Sequence, residues 1–361
     1  YLRSTMQEPQ PDPSPQPNPD PDEDENDPRY NATVPVYETY PHALLGMNRI
    51  NTLRQRIGHR FYAATDQAGA QSANAQAQRL DSGNGLWLRV EGSRGKSTPA
   101  FSATTISSEN QITRVQLGVD GILDENEHGT WIGGVYGQYV KGKTTTNSIY
   151  GDGQIDTDGY GLGATLTYYG GNGFYIDGQA NVTWYQSDIR YRPTQRAFVE
   201  GNDSLGYAFS LESGKSYALD QNWSITPQAQ LVYSNVKFDQ FTDVFSTSVS
   251  LGRGDSLRGR LGVSLDYETL WQDEYGSTNK LQLYGIANLY HEFLGQSRVD
   301  IAGHKFDSRP ERLWGGIGIG GTYSWNKEQA ALYGELLVDT SLENFGDSYD
   351  VRGQVGLRLK W

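Results

Sequence analysis

The sequence predicts an all-β membrane protein: a 12-stranded antiparallel transmembrane β-barrel preceded by one α-helix. Two observations predict this fold class. Strand candidates alternate apolar and polar residues, and the connections between them alternate in length along the chain. The 24 Tyr, 8 Trp and 43 Gly among 361 residues suit strands, aromatic belts and tight turns. No stretch approaches the ~18 uninterrupted apolar residues of a membrane-spanning helix.

Residues 1–28 are acidic and rich in proline. They hold eight acidic residues and one basic residue, which accounts for −7 of the net charge of −13. Eight prolines lie between Gln7 and Pro28 without any large apolar side chain, so we expect a solvated, disordered linker. The chain is not basic enough to indicate nucleic acid as a partner, and the absence of Cys excludes disulfides and thiol chemistry.

Residues 29–84 are predicted to contain a run-in segment, a helix over about 42–61 with Pro41 in its first turn, and a linker over 62–84. The apolar stripe of the helix is Ile50, Leu53, Ile57 and Phe61, and its charged residues are Arg49, Arg54, Arg56 and Arg60. At ~1.5 Å per residue this helix would be roughly 30 Å long, comparable with the hydrocarbon thickness of a membrane. The pattern fits either a helix packed on a domain surface or a plug in a pore.

Residues 85–361 contain the strand candidates of the barrel. They are 86–94, 112–123, 130–141, 158–169, 173–187, 204–213, 223–234, 257–269, 279–291, 313–325, 329–339 and 350–361. Connections after odd-numbered strands tend to be long (95–111, 142–157, 188–203, 235–256 and 292–312), whereas those after even-numbered strands are short, as in DENEHG and YGGNG. Long loops at one rim and tight turns at the other are typical of bacterial outer-membrane barrels. A soluble β-sandwich has no reason to sort its loops in this way.

The last strand candidate, DVRGQVGLRLKW, shows the alternation most clearly. One face carries Val351, Val355, Leu357, Leu359 and Trp361, and the other carries Arg352, Gln354, Arg358 and Lys360. Such a strand needs an apolar medium on one side and water or polar groups on the other.

The order of these segments resembles the translocator of type Va autotransporters, the type V secretion systems of Gram-negative bacteria. VPVYETYP (Val34–Pro41) followed by LRQRIG (Leu53–Gly58) resembles the run-in to the family's pore helix, and LWLRVEGSRG (Leu86–Gly95) resembles its first strand. Tyr1–Ser4 resembles the end of a passenger domain. Gly356, Leu359 and Trp361 resemble the signal that the outer-membrane assembly machinery recognises in nascent barrels.

The resemblance implies that the helix enters the barrel from outside and crosses the lumen to the periplasm. It implies a translocator that inserts in the outer membrane, exports its N-terminal passenger to the cell surface and anchors it there, with the linker outside and the C-terminus in the periplasm. The partners implied are outer-membrane lipid, the assembly machinery and the chain's own passenger. One chain has enough strands to close alone, so we expect a monomer, without a cofactor, metal site or enzymatic activity.

Inward positions of the expected barrel carry acids that could oppose the helix arginines. These acids are Glu91, Asp120, Asp177, Glu212, Asp266 and Glu335. Arg89, Arg114, Arg258, Arg260 and Arg352 also face inward in this register. We therefore expect a lumen of mixed charge.

Two positions depart from the family's pattern. Serine protease autotransporters of enterobacteria cut their helix between two adjacent asparagines, whereas this chain has Asn51-Thr52 when aligned on Arg56-Ile57-Gly58. We therefore expect no self-cleavage at this point. Val355 precedes Gly356 where the assembly signal commonly has a polar residue, although Leu359 and Trp361 fill its two apolar positions.

Two alternatives remain from the sequence. A diffusion porin would have an open lumen, with the N-terminal segment in the periplasm. A barrel enzyme would need a His beside a Ser or an acid at the outer rim, and His291 and His304, near Glu292, Asp300 and Asp307, are the residues to inspect. No nucleophile motif accompanies them.

Overall fold

Twelve long strands form a closed antiparallel barrel, which confirms the predicted fold class. In chain order they are β1 (Gly85–Ser97), β2 (Ser107–Asn126), β3 (Gly129–Asn147), β4 (Gly153–Gly170), β5 (Phe174–Tyr191), β6 (Arg196–Lys215), β7 (Trp223–Phe238), β8 (Ser248–Gln272), β9 (Thr278–Glu292), β10 (Leu313–Trp325), β11 (Ala330–Ser341) and β12 (Tyr349–Lys360). Each strand pairs with the next along the chain, and β12 pairs with β1 from Gly85↔Lys360 to Lys96↔Tyr349. Closure leaves the barrel without an unpaired edge, as lipid requires.

The structure is a computed structural model that describes residues 30–59, 84–272, 274, 277–326 and 329–361. The predicted linkers at 1–28 and 62–83, together with Arg60 and Phe61 of the predicted helix, lie outside the described residues. Among the helices that are described, none has the length and apolar character needed to cross a membrane.

The outer face of the barrel is a band of exposed aliphatic side chains bordered by aromatic rings. Leu162, Leu261 and Ile317 are 61%, 62% and 70% exposed, although each lies in the middle of a long strand. Near the short turns, rings pair on neighbouring strands, as in Trp131–Tyr168, with ring centroids 4.9 Å apart. Apolar side chains flanked by aromatic girdles form the lipid-facing surface of a transmembrane barrel.

The connections are on average longer at one rim of the barrel than at the other. One rim, called here the turn rim, carries 127–128, 171–173 and 216–222, together with the strand ends Gln272, Thr278, Trp325 and Ala330. The other, called the loop rim, carries 98–106, 148–152, 192–195, 239–247, 293–312 and 342–348. The predicted long loops 142–157 and 188–203 were too long, because β3 to β6 extend into them. The extensions, such as KGKTTTN, are polar on both faces, and this hides the alternation that marks a half-buried strand.

A second, smaller sheet lies at the loop rim. It joins Phe101–Ser102, Phe241–Thr242, Ser297–Ile301 and His304–Arg309 to the first residues of β8. Its side chains Val249, Val299 and Phe306 are buried. An ion pair joins the paired strands Ser297–Ile301 and His304–Arg309. Arg298 donates two hydrogen bonds, of 2.7 and 3.0 Å, to Asp307, and these bonds lower the pKa of the Asp307 carboxyl.

The prediction of a single helix over about 42–61 is wrong. The segment forms two helices, α1 (Val34–Met47) and α2 (Leu53–Ile57), joined by a non-helical stretch over 48–52. Pro35, not Pro41, lies in the first turn of α1, and Pro41 lies inside the helix. Pro41 lacks the N–H for the bond to the carbonyl four residues earlier, but contacts with the barrel stabilise the helix around it.

Candidate functional site: the occupied lumen

The N-terminal half of α1 packs against the small sheet at the loop rim. Val36, Tyr37 and Tyr40 are fully buried. Tyr37 packs edge-on against Phe241, with ring centroids 5.4 Å apart, and donates a hydrogen bond of 2.9 Å to Asp243. The start of α1 is thus fixed by apolar contacts that the sequence reasoning, which assigned this segment only as a run-in, did not predict.

The stretch between the helices is tied to the barrel wall by Asn48. Its Nδ2 donates to the Tyr207 carbonyl at 3.1 Å and to Ser234 Oγ at 2.9 Å, and its Oδ1 accepts from Tyr185 at 3.1 Å. On β6, a Cβ at Gly206 would lie 2.7 Å from Asn48 Oδ1. Residues 34–59 are called here the inner segment, and a glycine is needed where this segment meets the wall at position 206.

Local signals begin and end α2. Thr52 and Gln55 form a capping box, in which Gln55 N–H donates to Thr52 Oγ1 at 3.2 Å and Thr52 N–H donates to Gln55 Oε1 at 3.0 Å. Gly58 ends the helix at a φ of +71°, where a Cβ would lie 2.8 Å from Tyr333 Cβ. The T-x-x-Q signature was present in the sequence and would have placed a helix start at Thr52.

Two arginines of α2 form ion pairs with the predicted inward acids. Arg54 Nη1 lies 2.7 Å from Asp266 Oδ1. Arg56 Nη2 lies 2.7 Å from Asp177 Oδ1, and its Nη1 lies 3.8 Å from Asp120. The Arg56 and Asp177 side chains are 3% and 0% exposed, so each charge depends on its partner for neutralisation.

The other three predicted acids accept hydrogen bonds from uncharged groups of the inner segment. Glu91 accepts from the Asn51 amide, Glu212 accepts from the Leu53 N–H at 3.1 Å, and Glu335 accepts from the Gln55 amide at 2.5 Å. Wall residues also satisfy these carboxylates: Arg114 lies 3.2 Å from Glu91, Tyr175 donates to Glu212 at 2.7 Å, and Tyr284 donates to Glu335 at 2.6 Å. All six acids therefore lie against the inner segment, although only three of them pair with its arginines.

Wall arginines bind the carbonyl groups at the ends of both helices. Arg114 donates to the Met47 carbonyl at 2.7 Å, Arg89 to that of Gln55 at 3.2 Å, and Arg358 to that of Ile57 at 2.8 Å. The last carbonyls of a helix have no helical partner and carry partial negative charge. Arg89 and Arg114 were expected only as part of a mixed lumen, and Arg358 only on the polar face of the last strand, but all three complement the helix ends.

Arg49 lies between the helices and pairs with an acid that was not predicted to face inward. Its Nη1 lies 2.7 Å from Asp350 Oδ2. Asp350 also lies 3.0 Å from Arg352, which contacts Asp339 as well. The inward side of Asp350 follows from the alternation of β12, since it lies two residues before the inward Arg352.

The apolar residues of the predicted stripe have separate locations. Leu53 and Ile57 pack in a cluster with Trp87, Ile132, Tyr136, Tyr169 and Tyr175 of the wall. Ile50 is buried in the non-helical stretch. The stripe is therefore not one face of a single helix.

A cavity of about 240 Å³, called here the vestibule, lies along one side of α1. It extends from Gly295 and Pro310 at the loop rim to Thr52 and Gln55 at the start of α2, and Gly46 of α1 also lines it. α1 therefore leaves part of the lumen open, whereas the packed and hydrogen-bonded groups around α2 close it.

The histidines do not form the rim site that a barrel enzyme would need. His291 packs against Phe293 at a centroid distance of 4.8 Å and lines a groove on the outer face, and His304 is exposed on the paired strands of the loop rim. His42 Nε2 lies 2.9 Å from Ser297 Oγ, but Ser297 is only 1% exposed, which leaves no space for a substrate at its hydroxyl. Among the described residues, no cluster of His, Asp and Glu is arranged to hold a metal ion.

The residues of the predicted assembly signal lie on or beside β12. Leu359 and Trp361 are 41% and 68% exposed on the outer, apolar face. Gly356 faces inward, where a Cβ would overlap the ring of Tyr333. The two apolar side chains are therefore available to lipid or to a partner within the membrane.

Comparison with known proteins identifies the family. The Autotransporter beta-domain family model matches residues 86–336. The chain is 41% identical over all 361 residues to the Adhesin BmaC autotransporter of Brucella suis biovar 1, but covers 10% of that protein. It is 27% identical over 215 residues to the pertactin autotransporter of Bordetella parapertussis, a match to 58% of this chain and 22% of that protein. The chain thus spans a small fraction of the length of these relatives.

Solved structures share the fold. The transport unit of the autotransporter AIDA-I from Escherichia coli matches 92% of this chain and 100% of its own, with a TM-score of 0.68 and 15% identity. The translocator domain of autotransporter NalP from Neisseria meningitidis matches 78% of this chain and 90% of its own, with a TM-score of 0.57 and 15% identity. The chain therefore belongs to the autotransporter β-domain family and is an autotransporter translocator, an integral β-barrel of the bacterial outer membrane.

Proposed function

We propose that the chain exports an N-terminal passenger through its own lumen, and that the segment from α1 to α2 remains in the pore as a plug that anchors the passenger. The observation that carries this proposal is the match between α2 and the wall. Asp177 and Asp266 pair with α2 arginines, and Arg89 and Arg358 bind its carbonyls. A porin lumen would need no such set of complementary groups.

The chemistry requires no catalytic group or cofactor. A closed sheet leaves no backbone group unpaired in lipid, so the barrel can surround a polar interior. That interior supplies donors and acceptors to a segment whose own backbone is incompletely paired at the helix ends. Export and anchoring are therefore binding functions in this proposal, with outer-membrane lipid, the assembly machinery and the passenger as partners, and one chain as the functional unit.

Single-channel conductance tests the plug. The purified chain in a planar bilayer should conduct little, whereas a variant lacking residues 1–61 should show large, stable steps. Heat-modifiable electrophoretic mobility of the shortened variant would verify that its barrel has folded. High conductance of the whole chain, unchanged by the deletion, would refute the plug and indicate a porin.

We also propose that the loop rim faces the cell exterior and the turn rim the periplasm. The direction of the chain supports this orientation, because α1 begins against the loop-rim sheet whereas β1 begins at the turn rim. An epitope inserted at 303, between the paired loop-rim strands, should bind antibody on intact cells. The same epitope at 127–128 should bind only after the outer membrane is permeabilised, and the reverse pattern would refute the orientation.

The exposed Leu359 and Trp361 support recognition of β12 by the assembly machinery. Replacing Trp361→Ser should lower the amount of folded barrel in the outer membrane of cells. Refolding of the purified variant in detergent should be unchanged, because the ring makes little contact with the rest of the barrel. An equal loss in both assays would indicate a role in barrel stability instead.

A further inference from the structure

A groove of about 450 Å³, called here the outer groove, crosses the lipid-facing surface of the barrel. It runs from His291 and Phe293 at the end of β9, across β8 and β7, to Leu211 on β6 and Ile176 on β5. The strands of transmembrane barrels are tilted by roughly 35–45°, so a groove that crosses them also descends through the membrane. Four strand spacings of ~4.8 Å make the groove roughly 19 Å long, comparable with the ~15 Å of hydrocarbon in one leaflet.

A missing side chain on β8 forms a recess in this groove. Gly259 lies directly opposite Leu231 of β7 and His291 of β9. Leu231 and Leu289 are 47% and 45% exposed and form the sides of the recess. A Cβ at position 259 would lie 3.0 Å from Phe293 Cε2, so the Phe293 ring closes the recess at the end nearest the loop rim. The recess is therefore apolar and open to the membrane.

The position of the groove determines the chemistry of its occupant. Leu211, Leu231 and Leu289 belong to the band of exposed aliphatic side chains that faces lipid. Water and polar solutes are excluded from hydrocarbon at this depth, whereas an acyl chain can fill the recess and bury apolar surface. The occupant of the recess is therefore an acyl chain.

His291 adds a polar group at the loop-rim end of the groove. Its ring packs edge-on against Phe293, with ring centroids 4.8 Å apart. Among the residues that the structure describes, its imidazole has no hydrogen-bond or ion-pair partner. An imidazole carries an N–H donor in either protonation state, and the end of β9 places this donor where the ester and phosphate groups of lipids lie. His291, identified from the sequence only as a residue to inspect for a barrel enzyme, is thus an unpaired donor beside an apolar recess.

We propose that the outer groove binds one diacyl phospholipid, with an acyl chain in the recess at Gly259 and an ester or phosphate oxygen that accepts a hydrogen bond from His291. The location of the barrel in the outer membrane supplies this ligand, so the proposal does not depend on export or on the plug. A donor that is unpaired in an apolar site costs free energy, and a lipid oxygen removes this cost. The lipid should therefore stay bound when detergent replaces the surrounding membrane.

Native mass spectrometry tests the site. The full chain in detergent micelles is mixed with increasing amounts of dipalmitoyl phosphatidylglycerol, and the fraction of protein that retains lipid is measured. The unaltered protein should retain one lipid saturably, and Gly259→Leu should lower the affinity by at least ~10-fold, since the new side chain takes the space of about two methylene groups of the acyl chain. Gly137→Leu is the matched control, because Gly137 is exposed on β3 outside the groove and a Cβ there would meet nothing within 4 Å.

His291→Phe is the second variant, and it keeps an aromatic ring beside Phe293 but removes the N–H donor. Its affinity for the lipid should be about 2- to 10-fold lower than that of the unaltered protein, since one hydrogen bond is lost. Should Gly259→Leu fail to fold, as judged by heat-modifiable mobility, His291→Phe alone decides, and affinity equal to that of the unaltered protein would overturn the proposal. Absence of a retained lipid on the unaltered protein, or equal weakening by Gly137→Leu, would overturn it as well.

Discussion

Individual buried charges hold α2 in the barrel, and Arg56 is the more enclosed of its two arginines, with 3% of its side chain exposed against 12% for Arg54. Its partners Asp177 and Asp120 lie on β5 and β2, so one guanidinium bridges two separate parts of the wall. A buried pair contributes little net stability compared with apolar residues, but the loss of one partner leaves an uncompensated charge. The pairing therefore selects one position for α2 over others along the lumen.

Replacing Arg56→Gln should destabilise the protein by about 3–5 kcal/mol, because Asp177 loses its ion-pair partner. The double variant Arg56→Gln with Asp177→Asn should recover part of this loss, since it removes both charges. Arg192→Gln, at an exposed pair with Asp152, should change the free energy of unfolding by less than about 1 kcal/mol. Urea unfolding in micelles measures all three, and equal effects of Arg56→Gln and Arg192→Gln would contradict the argument.

The bond between Asn51 and Thr52 should remain intact. The side-chain amide of Asn51 donates to Glu91, and the backbone carbonyl of Asn51 accepts from Gln179 at 2.9 Å, so the wall holds both the side chain and the carbonyl of the bond in question. The expectation from the sequence, that a broken asparagine pair prevents self-cleavage, stays a prediction. Intact mass spectrometry of the purified barrel checks it, and a barrel fragment beginning at Thr52 would contradict it.

At the scale of elements, the strands could be predicted from the sequence and the helices could not. Alternation identified the central part of every barrel strand, since one face meets lipid and the other meets a polar lumen. The helical stripe failed because most residues of α1 and α2 are buried on all sides, so no single apolar face exists. The cap at Thr52 was the better signal, because it depends only on local geometry.

The same reasoning explains which lumen contacts could be predicted. Inward acids follow from strand alternation, and all six lie against the inner segment. Their partners depend on the three-dimensional path of residues 48–52, which no periodicity describes. The role of Arg89, Arg114 and Arg358 as partners of helix carbonyls was missed for this reason.

α2 should be the electrical seal, and α1 should not. The vestibule, of about 240 Å³, runs beside α1 and stops at Thr52 and Gln55, whereas the cavity beside Leu53 and Arg54 of α2 measures only about 50 Å³. Replacing 53–57 by a Gly-Ser sequence of equal length should raise single-channel conductance towards that of the deletion variant. Leu45→Ala is the control, because Leu45 of α1 already lines the vestibule. This variant should leave conductance low. High conductance from the control alone would assign the seal to α1.

The barrel as a whole is stable only if the two faces of its wall, one towards the lumen and one towards lipid, meet opposite requirements. The wall must bury charge towards the plug and exclude it from lipid, and strand alternation satisfies both with one sequence pattern. This is why the fold class was predictable from twelve short alternations, whereas the plug's exact path was not.

The lipid face should tolerate a charge near the rim but not in the middle of the barrel. Leu261, on the central part of β8, is 62% exposed, and Leu123, next to the 127–128 turn, is 67% exposed. Leu261→Arg should lower the free energy of unfolding by about 2–4 kcal/mol in lipid bilayers, and Leu123→Arg by at most about 1 kcal/mol. Because both side chains are exposed to similar extents, lost protein packing cannot produce this difference, and only depth in the membrane can. Equal losses, measured by denaturant unfolding in vesicles, would place the hydrophobic band at a different height on the barrel.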